Sequence, residues 1–157
     1  MMYYILKLNS SYLNYKPGEK VVASQEMSIR LAGVADVVDT IRIDSRLYFN
    51  MADIVDIEES INRSISSYNI SIGLYKNRLR SISSKVELTH KLMAAAKTRG
   101  GTLEINRQSF LDGVPKEIED YDKKMSELLK DIENIKSDGA KLIALLKGDK
   151  DGNNTGE

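Results

Sequence analysis

Enzyme chemistry needs side chains that take protons, hold metals or attack electrophiles, and this 157-residue chain combines few of them usefully. It has one histidine, His90, and no cysteine. Thiol catalysis, zinc–thiolate sites and disulfides are therefore excluded. His90 would need carboxylates or other ligands converging on it to hold a metal or work as a general base. Its neighbours in the chain are Thr89 and Lys91, and its spacing makes it the flank of an apolar stripe. Serines crowd residues 60 to 84, yet no Ser-His-Asp set assembles, no glycine-rich phosphate loop occurs and no carboxylates pair in an evident cleft. Asp149-Lys150-Asp151-Gly152-Asn153 has some oxygens of a calcium loop, but its glycine stands fourth rather than sixth and no bidentate acid follows. No catalytic, cofactor or metal-binding residue is assigned, and the chain is expected not to be an enzyme.

Binding chemistry is better represented. Lys76, Arg78, Arg80 and Lys85 form a basic stretch beside Tyr75, which suits phosphates. A nucleic-acid-associated protein using this stretch is therefore the alternative function. The balance of 23 basic against 23 acidic side chains removes any global attraction to polyanions, and disfavours nucleic acid as the partner. Apolar side chains at Leu103, Ile105, Phe110 and Leu111 fall in the segment Gly100 to Gly113, expected to link two helices. An apolar link must be covered or must bind something, so these four are the candidate partner-binding residues.

The elements that position these groups are written in heptads. Ile65, Tyr68, Ile72, Tyr75, Leu79, Ile82 and Val86 step alternately by three and four, with Thr89 the one polar member before Met93. Asn50, with Asp53 three residues on, reads as the start of this helix, and Phe49 with Ile54 as its hydrophobic staple. Lys97, Arg99 and Gly100 read as its end. Pro115 opens a second helix whose stripe runs Ile118, Tyr121, Met125, Leu128, Ile132, Ile135, Gly139, Leu142 and Leu146. Gly139 on that stripe marks a close approach or a break. Residues 76 to 99 are mostly basic and residues 116 to 133 mostly acidic, which favours packing the helices in opposite directions.

The expected fold is mainly α: a long antiparallel helical hairpin (coiled coil) over 50–147, a small N-terminal α+β module over 1–49 and a disordered tail over 148–157. The seam residues are Ile65, Tyr68, Ile72, Tyr75, Leu79, Ile82, Met125, Leu128, Ile132 and Ile135. In the N-terminal module Tyr3 to Leu8 reads as a strand and Lys16 to Glu19 as a turn. Met27, Leu31, Val34, Val38 and Ile41 then step at helical spacing behind Ser24 as a cap, in competition with a strand reading. Leu92, Leu129, Ile143 and Leu145 widen the stripes beyond what two helices can cover. The excess calls for the N-terminal module or other subunits, so a homo-oligomer is expected.

No apolar run approaches the roughly 20 residues that span a bilayer, and Met1 to Leu8, broken by Lys7, lacks the pattern of a signal peptide. The expected setting is the cytoplasm, or export without a cleavable signal. Together these features predict a non-enzymatic structural, assembly or adaptor protein acting through coiled-coil packing. Components of secretion apparatus and of virions are built on such shapes, which do not by themselves define a function.

Overall fold

The structure is a computed structural model that describes residues 1–95 and 102–148, with side chains from 106 onward in the second stretch. The chain runs β1 (Met2–Leu8), β2 (Lys20–Ala23), α1 (Gln25–Arg30), β3 (Ala35–Arg42), β4 (Met51–Ala52), α2 (Ile54–Ala95) and α3 (Thr102–Lys147). It is mainly helical, with two long helices and a small antiparallel sheet. It divides into two compact units: Met1–Ser66 with the described residues from Asp131 on, and Ser67–Lys130.

The first unit holds the sheet, in strand order β3-β1-β2-β4. β1 is central because its residues alternate between two faces that are both covered. Tyr4, Leu6 and Leu8 share one face with Val21 and Ala23, in a cluster closed by Met27, Leu31 and Ala35. Tyr3, Ile5 and Val22 belong to the other face and are fully buried. There Tyr3 donates to the Leu47 carbonyl at 3.2 Å and accepts from the Phe49 N–H at 2.9 Å, so its phenol ties the β3–β4 link to β1. Burial of each such apolar side chain contributes about 1.5–3 kcal/mol.

Only part of Met27 to Ile41 is helical. Ser24 caps α1 as its side chain predicts, accepting from the Met27 N–H at 3.3 Å. The helix stops at Arg30, and Val38 and Ile41 lie in β3 instead. β1 leaves an edge open, and the β-branched run Val37, Val38, Thr40 and Ile41 fills it over the whole strand. The register shifts between Ile5 and Leu6, leaving Val38 as an extra residue on this edge strand.

α2 begins at Ile54, later than Asn50 suggests. Asn50 is engaged elsewhere: its carbonyl accepts the Ser24 N–H at 2.9 Å, and its side chain accepts the Ser24 hydroxyl at 3.1 Å. The cap is Asp53, which accepts from the Asp56 N–H at 2.9 Å while Asp56 accepts from the Asp53 N–H at 3.1 Å. These reciprocal bonds form a capping box, and Ala52 with Ile57, both buried, take the staple positions expected of Phe49 and Ile54. Tyr15 lies beside this cap, its hydroxyl 3.5 Å from Asp56. Burial, then the charges of Asp53, Asp56 and Glu19, push its phenol up to about 12.

The far part of α3 enters the same unit without a break. Asp138 accepts the Ser45 N–H at 2.9 Å, and Gly139 is a close approach: a Cβ there would overlap the Ile61 side chain, with Cγ1 only 2.9 Å away. Ile132, Ile135, Leu142 and Leu146 are buried, and Ile65 is half-buried.

The second unit is built from α2 after Ser67 and α3 up to Lys130. Here α3 departs from expectation, since it starts at Thr102 and runs through Gly113 and Pro115. Residues 102–113, expected to belong to the link between the helices, are helical turns. Pro115 is exposed inside the helix, where it forgoes one backbone bond. Val114, the residue before it, is buried. Lys97, Arg99 and Gly100, read as the end of the first long helix, and the tail 149–157 lie outside the described residues.

Candidate protein-binding surface

Within the second unit the apolar stripe of α2 faces inward. Ile72, Ile82 and Thr89 are buried, while Tyr68, Tyr75 and Leu79 are half-buried. Thr89 reconciles its hydroxyl with burial by donating to the Lys85 carbonyl one turn back, at 2.7 Å. On α3 Tyr121, Met125 and Leu128 are half-buried. Ile118, expected on the stripe, is exposed, and Val114 is buried in the turn before it. Tyr75 and Arg78 meet Tyr121, and Lys85 meets Phe110, so successive turns of α2 meet earlier turns of α3.

A helix turns 100° per residue, so Leu74, Arg78, Ser81, Lys85, Leu88 and Leu92 form a flank beside the buried stripe. Along it runs a groove of about 380 Å³ lined by Arg78, Ser81, Lys85, Phe110, Glu117 and Tyr121. A second groove of about 320 Å³ adjoins it and adds Leu74, Tyr75 and Lys124. The cations of this flank are held by aromatic groups rather than by carboxylates. Arg78 donates to the Tyr121 hydroxyl at 3.3 Å, a bond that raises the guanidinium pKa further. Lys85 stands 4.6 Å above the Phe110 ring. Lys124 lies 5.8 Å from the Tyr75 ring and 5.7 Å from the Tyr121 ring, and the two rings pack at 5.6 Å. Cation–π contacts of this kind orient a charge without neutralising it.

The opposite flank carries a groove of about 420 Å³ lined by residues that include Val86, His90, Met93, Leu111, Asp112 and Pro115. His90 is exposed there. Among the described residues no three ligand-type side chains gather to hold a metal ion. On α3 this flank continues by helical spacing through Ile118, Asp122 and Leu129.

The ion pairs seen among described residues are local: Arg30 with Glu26 at 2.7 Å, Lys91 with Glu87 at 3.3 Å and Lys136 with Glu133 at 3.9 Å. The opposite charges of residues 76–99 and 116–133 do not meet in any of these pairs. Such exposed pairs contribute only about 0–1 kcal/mol each.

Of the four candidate partner-binding residues, Phe110 and Leu111 have described side chains. Phe110 lies under Lys85 in one groove, while Leu111 lies with His90 in the other. Leu103 and Ile105 fall on the first turns of α3, where their side chains lie outside the described residues. More exposed are side chains that heptad spacing assigns to the stripe or leaves aside: Leu74 at 58%, Leu88 at 55%, Leu92 at 42%, Ile118 at 38% and Leu129 at 54%. For the four leucines the signal is a second set of helically spaced apolar residues, offset by one residue from the stripe, whereas Ile118 belongs to the stripe spacing itself. Among the described residues no helix is long and apolar enough to cross a membrane. Compared with known proteins, the chain matches no family model, no curated protein and no solved structure.

Proposed function

We propose that this chain is a non-enzymatic structural or assembly protein whose working surfaces are helix faces, and that it acts as an oligomer of itself. In this reading α2 and α3 pack as an antiparallel coiled-coil hairpin through Ile72, Tyr75, Leu79, Ile82, Tyr121, Met125 and Leu128, and their outer flanks engage other copies. The observation that carries it is the set of exposed apolar side chains at helical spacing, Leu74, Leu88 and Leu92 on α2 and Ile118 and Leu129 on α3. These five side chains are each about half exposed, so covering what remains would yield about 4–7 kcal/mol gross, at the low end of the 4–15 kcal/mol that association costs in lost freedom. The test is molar mass by light scattering across a hundredfold range of concentration. A stable oligomer is expected, and a monomer at every concentration overturns the proposal.

A second reading draws on the aromatic-held cations. Arg78 and Lys85, with Arg80 nearby, would bind the phosphates of nucleic acid. This predicts a mobility shift at low salt that weakens steeply as salt is added and disappears when the three are changed to glutamate. No shift at low salt ends this reading.

A further inference from the structure

The sheet ends in two unequal edges. β4 offers only Met51 and Ala52, too short to template another strand. β3, at the other end, is eight residues long, and Asp36 to Thr40 and Arg42 are exposed. Val37 and Val38 are about half exposed, and with Thr40 and Ile41 they make a β-branched run of the kind that recruits a further strand. The register fixes which groups of β3 face outward. The Met1 nitrogen donates to the Ile43 carbonyl at 2.7 Å, and the Ile43 N–H to the Met1 carbonyl at 2.9 Å, so these two residues form a bonded pair. Bonded and non-bonded pairs alternate along an antiparallel ladder. Ile41 and Asp39 therefore bond to Tyr3 and Ile5, while Arg42 and Thr40 turn their N–H and C=O groups away from β1.

This outward edge is already engaged. The Asp39 carboxylate accepts the Thr40 N–H at 2.8 Å, so a donor that an incoming strand needs is held by the chain itself. Beside it the register shifts and Val38 stands as an extra residue, which bends the strand and breaks the alternation of outward groups. A strand added here would strip the carboxylate of both water and its bond partner. A second, antiparallel β3 would also bring its own Asp39 to the seam, like charge against like. We infer that β3 is a guarded edge: Asp39 seated on the Thr40 N–H, with the bulge at Val38, keeps a second copy of this chain from adding its β3 to the sheet. The inference goes beyond the helix-face reading above and does not depend on it.

The experiment compares two variants with the wild-type chain, Asp39→Val and Asp39→Val with Val38 deleted. The first frees the Thr40 N–H, and the second also restores an unbroken ladder. Circular dichroism and thermal melting check that each keeps the fold, and light scattering gives the mass at matched concentration. The opened edge should at least double the mass over wild type, since each edge takes one copy. Adding Thr40→Pro should return it to the wild-type value, because proline removes the outward N–H and leaves the bonds to β1 in place. Asp39→Val changes only an exposed side chain, so it decides the matter if the deletion fails to fold. Folded variants that keep the wild-type mass overturn the inference. Association that survives Thr40→Pro overturns it too, because another surface then carries it. A monomeric wild-type chain removes the self-assembly reading and leaves this comparison intact.

Discussion

Three glycines lie inside the long helices, and the same change to alanine is expected to act with opposite sign among them. Gly73 and Gly113 have no heavy atom within 4 Å of where a Cβ would stand. Alanine at either should stabilise by about 0.5–1 kcal/mol, because it restricts the unfolded chain and favours helix. At Gly139 the same Cβ overlaps Ile61, with Cγ1 at 2.9 Å and Leu47 Cδ1 at 4.0 Å. The Ile61 Cδ1 methyl can swing aside by rotating χ2. Its Cγ1 moves only with χ1, which a helix restricts to one strongly preferred rotamer for a β-branched residue. Overpacking of this kind costs about 1–3 kcal/mol, so Gly139→Ala should lose up to about 2 kcal/mol net. Urea unfolding followed by far-ultraviolet circular dichroism reads the contrast. With a slope of about 1–3 kcal/mol per molar, the midpoints of Gly139→Ala and Gly73→Ala should separate by about 1 M. In an Ile61→Ala background the overlap is gone, and Gly139→Ala should become stabilising, a coupling that a double-mutant cycle isolates. A Gly139→Ala midpoint raised as far as that of Gly73→Ala in the wild-type background would refute the close approach.

Other perturbations test separate parts of the fold. Tyr3→Phe strands the Phe49 N–H and the Leu47 carbonyl in a buried site, so it should cost about 1–3 kcal/mol in thermal unfolding; an unchanged melting temperature would mean those groups find other partners. Ile72→Asp places an unpaired charge on a buried face and should cost about 3–5 kcal/mol and much of the helicity. Unaltered melting of that variant removes the premise of a packed α2 stripe. The raised Tyr15 phenol holds its proton in the folded state from pH 10 to about 12, where an ordinary tyrosine loses it. The folded state then binds more protons than the unfolded one, so this contribution is present below pH 10 and is lost as pH rises towards 12. Burial raises the Tyr3 phenol as well, so ultraviolet titration should show late tyrosinates in the wild-type chain and one fewer in Tyr15→Phe; identical curves above pH 10 count against the acidic setting of Tyr15.

Signals carried by neighbours in the chain are legible from the sequence alone. Period-3.5 spacing from Ile65 to Val86 and from Tyr121 to Ile135 needs no long-range partner to be visible, and those stretches lie in α2 and α3. Ser24 caps α1 and Tyr3 to Leu8 form a strand for the same reason. Local signals mislead where they meet a stronger non-local contact. Gly113 and Pro115 spell a helix boundary, yet Val114 is buried on a continuous helix. Val38 and Ile41 keep helical spacing with Met27, yet β1 offers an open edge that only the folded sheet creates. Asn50 is a good cap in isolation, but Ser24 engages it from 26 residues away.

The candidate surface divides in the same way. Composition and periodicity alone determined that two long amphipathic helices exist, that they carry more apolar surface than a pair can hide, and that thiol chemistry is out of reach. Which apolar residues stay exposed was decided by tertiary structure, because the buried face of a helix depends on what packs against it. The split of Phe110 and Leu111 between two grooves, and the holding of Arg78, Lys85 and Lys124 by Tyr121, Phe110 and Tyr75, were decided there too. Adjacent residues on a helix point 100° apart, and a charge finds its partner by distance in space, which no reading along the chain contains.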